Sequence, residues 1–269
     1  MTAEQAHHPD VVWHDLECGG YSADLRLWRD LAAEAAARAG RRGATVLDIG
    51  AGTGRVALDL AARGHEVTAV EIVGELAAAL RGRAASATGG GDGGPARLTV
   101  VEADARALGD LAADSALGGE PFDLCVMPMQ TIQLFGGAAA RAACLRAVRG
   151  LLAPGGVVAC AIVDELDEFD TAAGDGGPSA ERVRVGDRDY TSRAVRVACA
   201  ADTIVIERLR EVRGPSEEPV RERDLVTLDR LGPAMLVGEA EEVGLLPLEV
   251  RTVAATADHV GSMVVVLGG

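Results

Sequence analysis

Three acids and three glycines in this chain have types and spacing that could do chemistry. Asp48, Gly50, Gly52 and Gly54 stand in Val46-Leu47-Asp48-Ile49-Gly50-Ala51-Gly52-Thr53-Gly54-Arg55. Glu71 closes the apolar run Val67-Thr68-Ala69-Val70, and Asp104 lies in Val100-Val101-Glu102-Ala103-Asp104-Ala105. Alternate glycines let backbone approach a ligand because no Cβ intervenes. A carboxylate two residues before the first glycine suits the cationic end of a ligand better than a pyrophosphate. An acid about 20 residues further on can accept from both hydroxyls of a ribose. A dinucleotide fingerprint would need its third glycine at position 55, which is Arg, so a nicotinamide-dependent oxidoreductase is a weaker alternative.

The elements that position these groups follow from pattern. Ala44 to Ile49 reads as a buried strand, and Val56, Leu58, Leu60 and Ala61 give the following helix an apolar face. Further strands are expected at Val67 to Val70, Arg97 to Glu102, Phe122 to Met127 and Val157 to Val163. Helices are expected from Ser22 (as N-cap) to Ala39, at Glu75 to Ala85 and at Ala138 to Leu151. This is the doubly wound α/β rhythm, which sets ligands at the carboxyl ends of the strands. Gly-rich 86–96 follows a helix and reads as a connector. Beyond Asp164 the rhythm changes. Arg182 to Val185, Tyr190 to Val197, Thr203 to Val212 and Leu225 to Leu228 read as strands of an antiparallel inset at about 181–230, with Arg213 to Asp224 as a solvated tip. Pro233 opens a helix ended by Gly244, and strands Pro247 to Val253 and Ser262 to Leu267 follow. Residues 1–12 read as a loose polar terminus, 1–40 as an N-terminal helical cap and 41–269 as the main domain.

The Asp48 to Gly54 stretch, with Glu71 and Asp104 following in order, resembles the motifs of class I S-adenosylmethionine (SAM)-dependent methyltransferases. Leu152-Ala153-Pro154-Gly155-Gly156 is another recurrent feature of that family. The resemblance implies a mostly parallel seven-stranded sheet with helices on both faces and the last strand antiparallel. It implies SAM as cofactor, held by Asp48, Gly50, Gly52, Gly54, Glu71 and Asp104, with Ile72, Ala105 and Met127 beside them and Tyr21 folded over the pocket. The loop Pro128-Met129-Gln130-Thr131-Ile132-Gln133-Leu134 lacks the Asn/Asp/Ser-Pro-Pro-aromatic motif of DNA amino-methyltransferases. It is similar to the loop of small-molecule methyltransferases, which puts Gln130 and Gln133 on the acceptor side. Some relatives carry a histidine base where this chain has Leu134, so the resemblance supplies no base. That keeps a SAM-binding protein without methyl transfer as a rival. Tyr190, His259 (with Asp258 as orienter) and Asp164 are the remaining candidates near an acceptor.

Composition narrows the partners. With 269 residues, 48% of them hydrophobic, the chain can build one large α/β core. The formal charge of −15 argues against nucleic acid and anionic membranes. Five cysteines without C-x-x-C spacing read as reduced, small apolar side chains in a cytoplasmic protein. No stretch reads as a signal peptide or a membrane span, and no His/Cys/Asp cluster has metal-ligand spacing. A small-molecule substrate is expected, and a homodimer is compatible with this reading.

Overall fold

The computed structural model describes residues 8–87, 97–113, 116–174, 176–215, 218–256 and 259–269. The chain begins with helix α1, Pro9–His14, and a π-helical turn, Asp15–Gly19, then α2, Leu25–Arg38. The α/β rhythm follows as β1 Thr45–Ile49, α3 Arg55–Ala62, β2 Glu66–Glu71, α4 Gly74–Ala87 and β3 Leu98–Glu102. After β3 come α5 Leu108–Ala113, β4 Phe122–Met127, α6 Ala138–Leu151 and β5 Leu152–Ile162. Next are β6 Phe169–Asp170, β7 Glu181–Val185, β8 Arg188–Cys199, β9 Thr203–Arg213 and β10 Val220–Asp229. The chain closes with α7 Pro233–Glu242, β11 Leu246–Val253 and β12 Ser262–Gly268.

Two sheets result. Seven strands run in the order β11-β12-β5-β4-β1-β2-β3, with β12 antiparallel to both neighbours and β1 to β5 mutually parallel. Strands β6 to β10 form the expected antiparallel inset, with β8 and β9 at its centre. Alternation along each strand divides the core between two faces. On one face Val46, Val126 and Val264 pack with Trp28, Leu31 and Leu60. On the other Leu47, Ile49, Cys125 and Val265 pack with Leu108, Leu145 and Leu236. All five cysteines are free thiols.

Strand order reverses between β1 and β4, where Asp48 pairs in register with Val126. An open crevice for a ligand lies at such a reversal, beyond the strand ends. The loops after β1 and β4 therefore face each other.

Several local readings need correction. Residues 9–12 are not loose: Pro9 starts a helix, and Val11, Val12 and Trp13 are buried beneath it. Helix α2 starts at Leu25 rather than at Ser22; Asp24 takes the N-cap position, its carboxylate bonded to Trp28 and Arg55. His65 is not solvated; its Nδ1 accepts from the buried Ala44 amide at 3.1 Å. Strand β10 runs into the charge-dense link, because Arg221 bonds Glu211 at 2.6 Å and Asp224 meets Arg210 at 3.2 Å across the ladder. The short strand β6, the turn Ala105–Ala107 and α5 are additional to those expected. The connector reading at 88–96 lies outside the described residues.

Candidate active site at the β1–β4 crevice

The glycine turn is built as its spacing predicts. Gly50, Gly52 and Gly54 have φ of 71°, 57° and 97°, conformations that side chains with a Cβ rarely adopt. A Cβ on Gly50 would fall 2.6 Å from Thr131 in the loop after β4. On Gly52 it would collide with the His14 ring, and on Gly54 with Leu80. The turn is thus packed by the loop after β4, by α4 and by the N-terminal segment.

Beneath it lies Asp48, 1% exposed, with neither carboxylate oxygen hydrogen-bonded. The Ala57 amide exerts a favourable pull without closing a bond of normal geometry. Burial pushes this carboxyl up to about 7; the Arg55 charge opposes the shift and Glu71 adds to it. A buried acid without a donor is costly, so the site suits a ligand that brings a cationic or N–H group to it.

Glu71 ends β2, one strand over, and is 6% exposed. Its two oxygens accept from the Gly52 and Val73 amides at 2.8 and 2.9 Å. A carboxylate has about four acceptor positions, so capacity remains for two ligand hydroxyls. Asp104 stands after β3, accepting from the Arg106 amide and guanidinium, which holds it below the usual carboxylate range. Strands β1, β2 and β3 are adjacent and in register, so the three acids stand at three consecutive strand ends. Ile72 is 56% exposed beside them, Ala105 opens the turn after Asp104, and Met127 is buried at the end of β4 against Cys160.

The opposite wall is strained. Met129 and Gln130 have φ of 49° and 38°, two successive left-handed residues that are not glycine. Such conformations persist only where surroundings impose them, and they gather at functional sites. Beside this pair, Gln133 ties the turn to neighbouring strands. Its side-chain amide donates to the Val163 and Asp229 carbonyls at 2.9 and 2.8 Å, and its oxygen accepts from the Val163 amide at 2.8 Å. Gln133 is therefore corrected from an acceptor contact to a fully buried brace, since its polar atoms are spent on backbone. Replacing Gln133 with Ala leaves the Val163 amide unpaired, and a destabilisation of about 2 kcal/mol is expected by chemical denaturation. Gln130→Gly should instead gain roughly 1 kcal/mol in the same measurement, by relieving the left-handed backbone.

The remaining candidates separate. Tyr21 and His259 come together, ring centres 4.8 Å apart, with Arg55 5.1 Å from the centre of the tyrosine ring. Arg55 in turn pairs with Asp24. Asp258 lies outside the described residues. Asp164 follows β5, half-buried. Tyr190 does not join them; it is 5% exposed and stands edge-on to Trp13 at 5.1 Å. It serves the contact between inset and N-terminus, a correction to its catalytic reading. Leu134 is exposed. Among the described residues no group of three or more His, Cys, Asp or Glu is arranged for a metal ion, and no helix is long and apolar enough to cross a membrane.

Sequence reasoning missed His14, Asp15 and Arg83 around the glycine turn, and Glu17 bonded to Arg210 and Ser192 of the inset. Asp15 accepts from the Thr53 hydroxyl at 2.7 Å and from Arg83. The available signal was the density of polar and aromatic residues from Trp13 to Tyr21, too short and irregular to show a period.

Comparison with known proteins agrees with this geometry. The family model described as a methyltransferase domain matches residues 46–156. No curated protein matches the chain. Among solved structures, the chain is similar to the sugar N-methyltransferase KedS8 from Streptoalloteichus, at 18% identity and TM-score 0.69, covering 97% of this chain and 92% of that one. CalS10, an amino pentose methyltransferase from Micromonospora echinaspora solved with SAM bound, gives 19% identity and TM-score 0.64 over 96% and 97%. The CcbJ methyltransferase from Streptomyces caelestis gives 22% and 0.61 over 93% and 90%. These likenesses establish a shared fold. Residues 46–156 thus match a methyltransferase domain, and nearly the whole chain shares the fold of the S-adenosylmethionine-bound methyltransferase CalS10 and of KedS8.

Proposed function

We propose that the chain transfers a methyl group from SAM to an amine of a small molecule. The observation that carries the reading is Asp48, buried at the crevice with both oxygens unpartnered. A cofactor bearing an ammonium and a sulfonium group brings the missing positive charge. On this reading Asp48 and the Gly50 to Gly54 turn hold the methionine end, Glu71 the ribose, and Asp104 with Ala105 the adenine, while Ile72 and Met127 flank them. When bound, SAM supplies a methyl group on a cationic sulfur.

The chain's own task is positioning and exclusion of water. Tyr21, in tilted ring contact with His259, is proposed to cover the crevice from the N-terminal side, and the strained Met129–Gln130 backbone, beside the Gln133 brace, to form its wall after β4. Gln130, Asp164 and His259 are the side chains proposed to meet the acceptor. A neutral amine needs little help from a base, whereas a hydroxyl or carbon nucleophile needs one. The exposed Leu134 offers none. Support for an amino acceptor also comes from the neighbours, since KedS8 is described as a sugar N-methyltransferase and CalS10 as an amino pentose methyltransferase.

The test is incubation of the chain with methyl-labelled SAM and a panel of amino sugars, amino-bearing natural products and cell extract. A labelled product, heavier than the acceptor by about 14 mass units (the difference between N–H and N–CH₃) plus the extra mass of the label, is expected at a nitrogen. Tight SAM binding with no label leaving the cofactor would favour a non-methylating SAM protein instead.

A further inference from the structure

The N-terminal segment is fastened to two different bodies by residues three apart. On the cofactor side, the His14 ring occupies the space over Gly52, with Nδ1 3.3 Å from the Thr53 hydroxyl. That hydroxyl donates to Asp15, and Arg83 donates both to Asp15 and to the Thr53 carbonyl at 3.1 Å. On the other side Glu17, its side chain 10% exposed, receives Arg210 through two bonds of 2.8 and 2.7 Å and the Ser192 hydroxyl at 2.6 Å. Arg208 donates to the same hydroxyl at 2.9 Å, and Arg210 also lies 5.3 Å from the centre of the Trp13 ring. The turn at Asp15–Gly19 therefore points His14 at the glycine loop and Glu17 into the antiparallel inset.

Gly52 lacks a Cβ in a turn where a ligand's approach needs bare backbone. An imidazole seated on that backbone and a cofactor laid across it compete for one volume. We infer that His14 is a gating residue of the cofactor site, displaced when SAM enters, and that Glu17 is the positioning residue that ties this movement to the inset. The inference rests on the SAM reading above. It adds a residue to the site and a mechanical link between the strands of the inset and the turn that takes the cofactor. Because the Glu17 clamp is bidentate, buried and shared with Ser192, the segment moves against a fixed point rather than fraying. The closed form lowers apparent affinity by the fraction of time the gate is open.

The experiment is stopped-flow binding of S-adenosylhomocysteine to the wild-type chain and to His14→Ala, His14→Phe and Glu17→Gln. Association about tenfold faster in His14→Ala and slower in His14→Phe is expected, as for a gate closed some nine-tenths of the time. Glu17→Gln should shift the rate toward that of His14→Ala. Hydrogen exchange on the wild-type chain gives a second reading that needs no variant: the amides of residues 12–18 should change protection when S-adenosylhomocysteine is added. Association within about twofold of wild type in both His14 variants, or unchanged exchange at 12–18 on binding, would overturn the gate. Failure of the wild-type chain to bind S-adenosylhomocysteine at all would instead remove the cofactor reading beneath it.

Discussion

Glu71→Ala is expected to weaken SAM binding by roughly 100-fold or more while leaving the sheet folded. On the proposed placement of the cofactor, two charge-assisted hydrogen bonds to ribose hydroxyls are lost, each worth about 1.5–3 kcal/mol. The same change takes the acceptor from the Gly52 and Val73 amides, so the glycine turn loosens as well. Glu71→Gln separates the two contributions. It keeps one acceptor oxygen for the turn or the ribose and should cost less than the alanine. Equilibrium titration with SAM measures both, and far-ultraviolet circular dichroism checks that the fold survives. Binding by Glu71→Ala within threefold of wild type would show that the ribose lies elsewhere.

The second large effect concerns pH. Asp48 has a folded-state pKa of about 7, against an ordinary value of 3.8, because burial disfavours its charge more than Arg55 favours it. An acid raised in this way is harmless to stability below its unfolded pKa. It costs progressively more as pH rises from about 4 to about 7, and the cost is constant above that. The full penalty is about 4 kcal/mol, of which about 3 falls between pH 5 and pH 8. Asp48→Asn removes the titration. The variant's stability relative to wild type should therefore rise by about 3 kcal/mol between those two pH values, by urea denaturation at each. A fixed offset from the unpaired amide is the same at both and cancels. Binding of a cationic cofactor reverses the preference and draws the proton off Asp48. Wild-type affinity for SAM should increase from pH 6 to pH 8, and that of Asp48→Asn should not. Parallel pH curves for the two proteins would contradict the placement of a cation at Asp48.

How much of this was legible in the sequence depended on the range of the forces involved. Strands β1 to β5 follow from short apolar runs and their helices from helical spacing, and β4 and α6 have the expected bounds, Phe122–Met127 and Ala138–Leu151. The placement of the three acids side by side was readable because Asp48 lies near the end of β1, Glu71 ends β2 and Asp104 follows β3, and these strands are neighbours. Features set by contacts between distant parts were not. Gln133 looks like a loop residue until Val163 and Asp229 arrive beside it from 30 and 96 residues away. His65 looks like a solvated link until Ala44 offers its amide. Charges in the Arg213 to Asp224 link suggested a solvated tip, yet alternate residues pair across β9 and β10 and extend the strand. The N-terminal segment was hidden for a related reason. Its order comes from Thr53, Arg83, Arg208 and Arg210 on other elements, not from a period of its own.

The most direct test of the central claim is calorimetric titration of the wild-type chain with SAM and with S-adenosylhomocysteine, in two buffers of different ionisation enthalpy. The account predicts one saturable site for each ligand near pH 7, with heats that differ between buffers because Asp48 gives up its proton as the ligand's positive charge arrives. Absence of saturation with both ligands, or heats identical in the two buffers, would contradict a cofactor seated on that buried carboxylate.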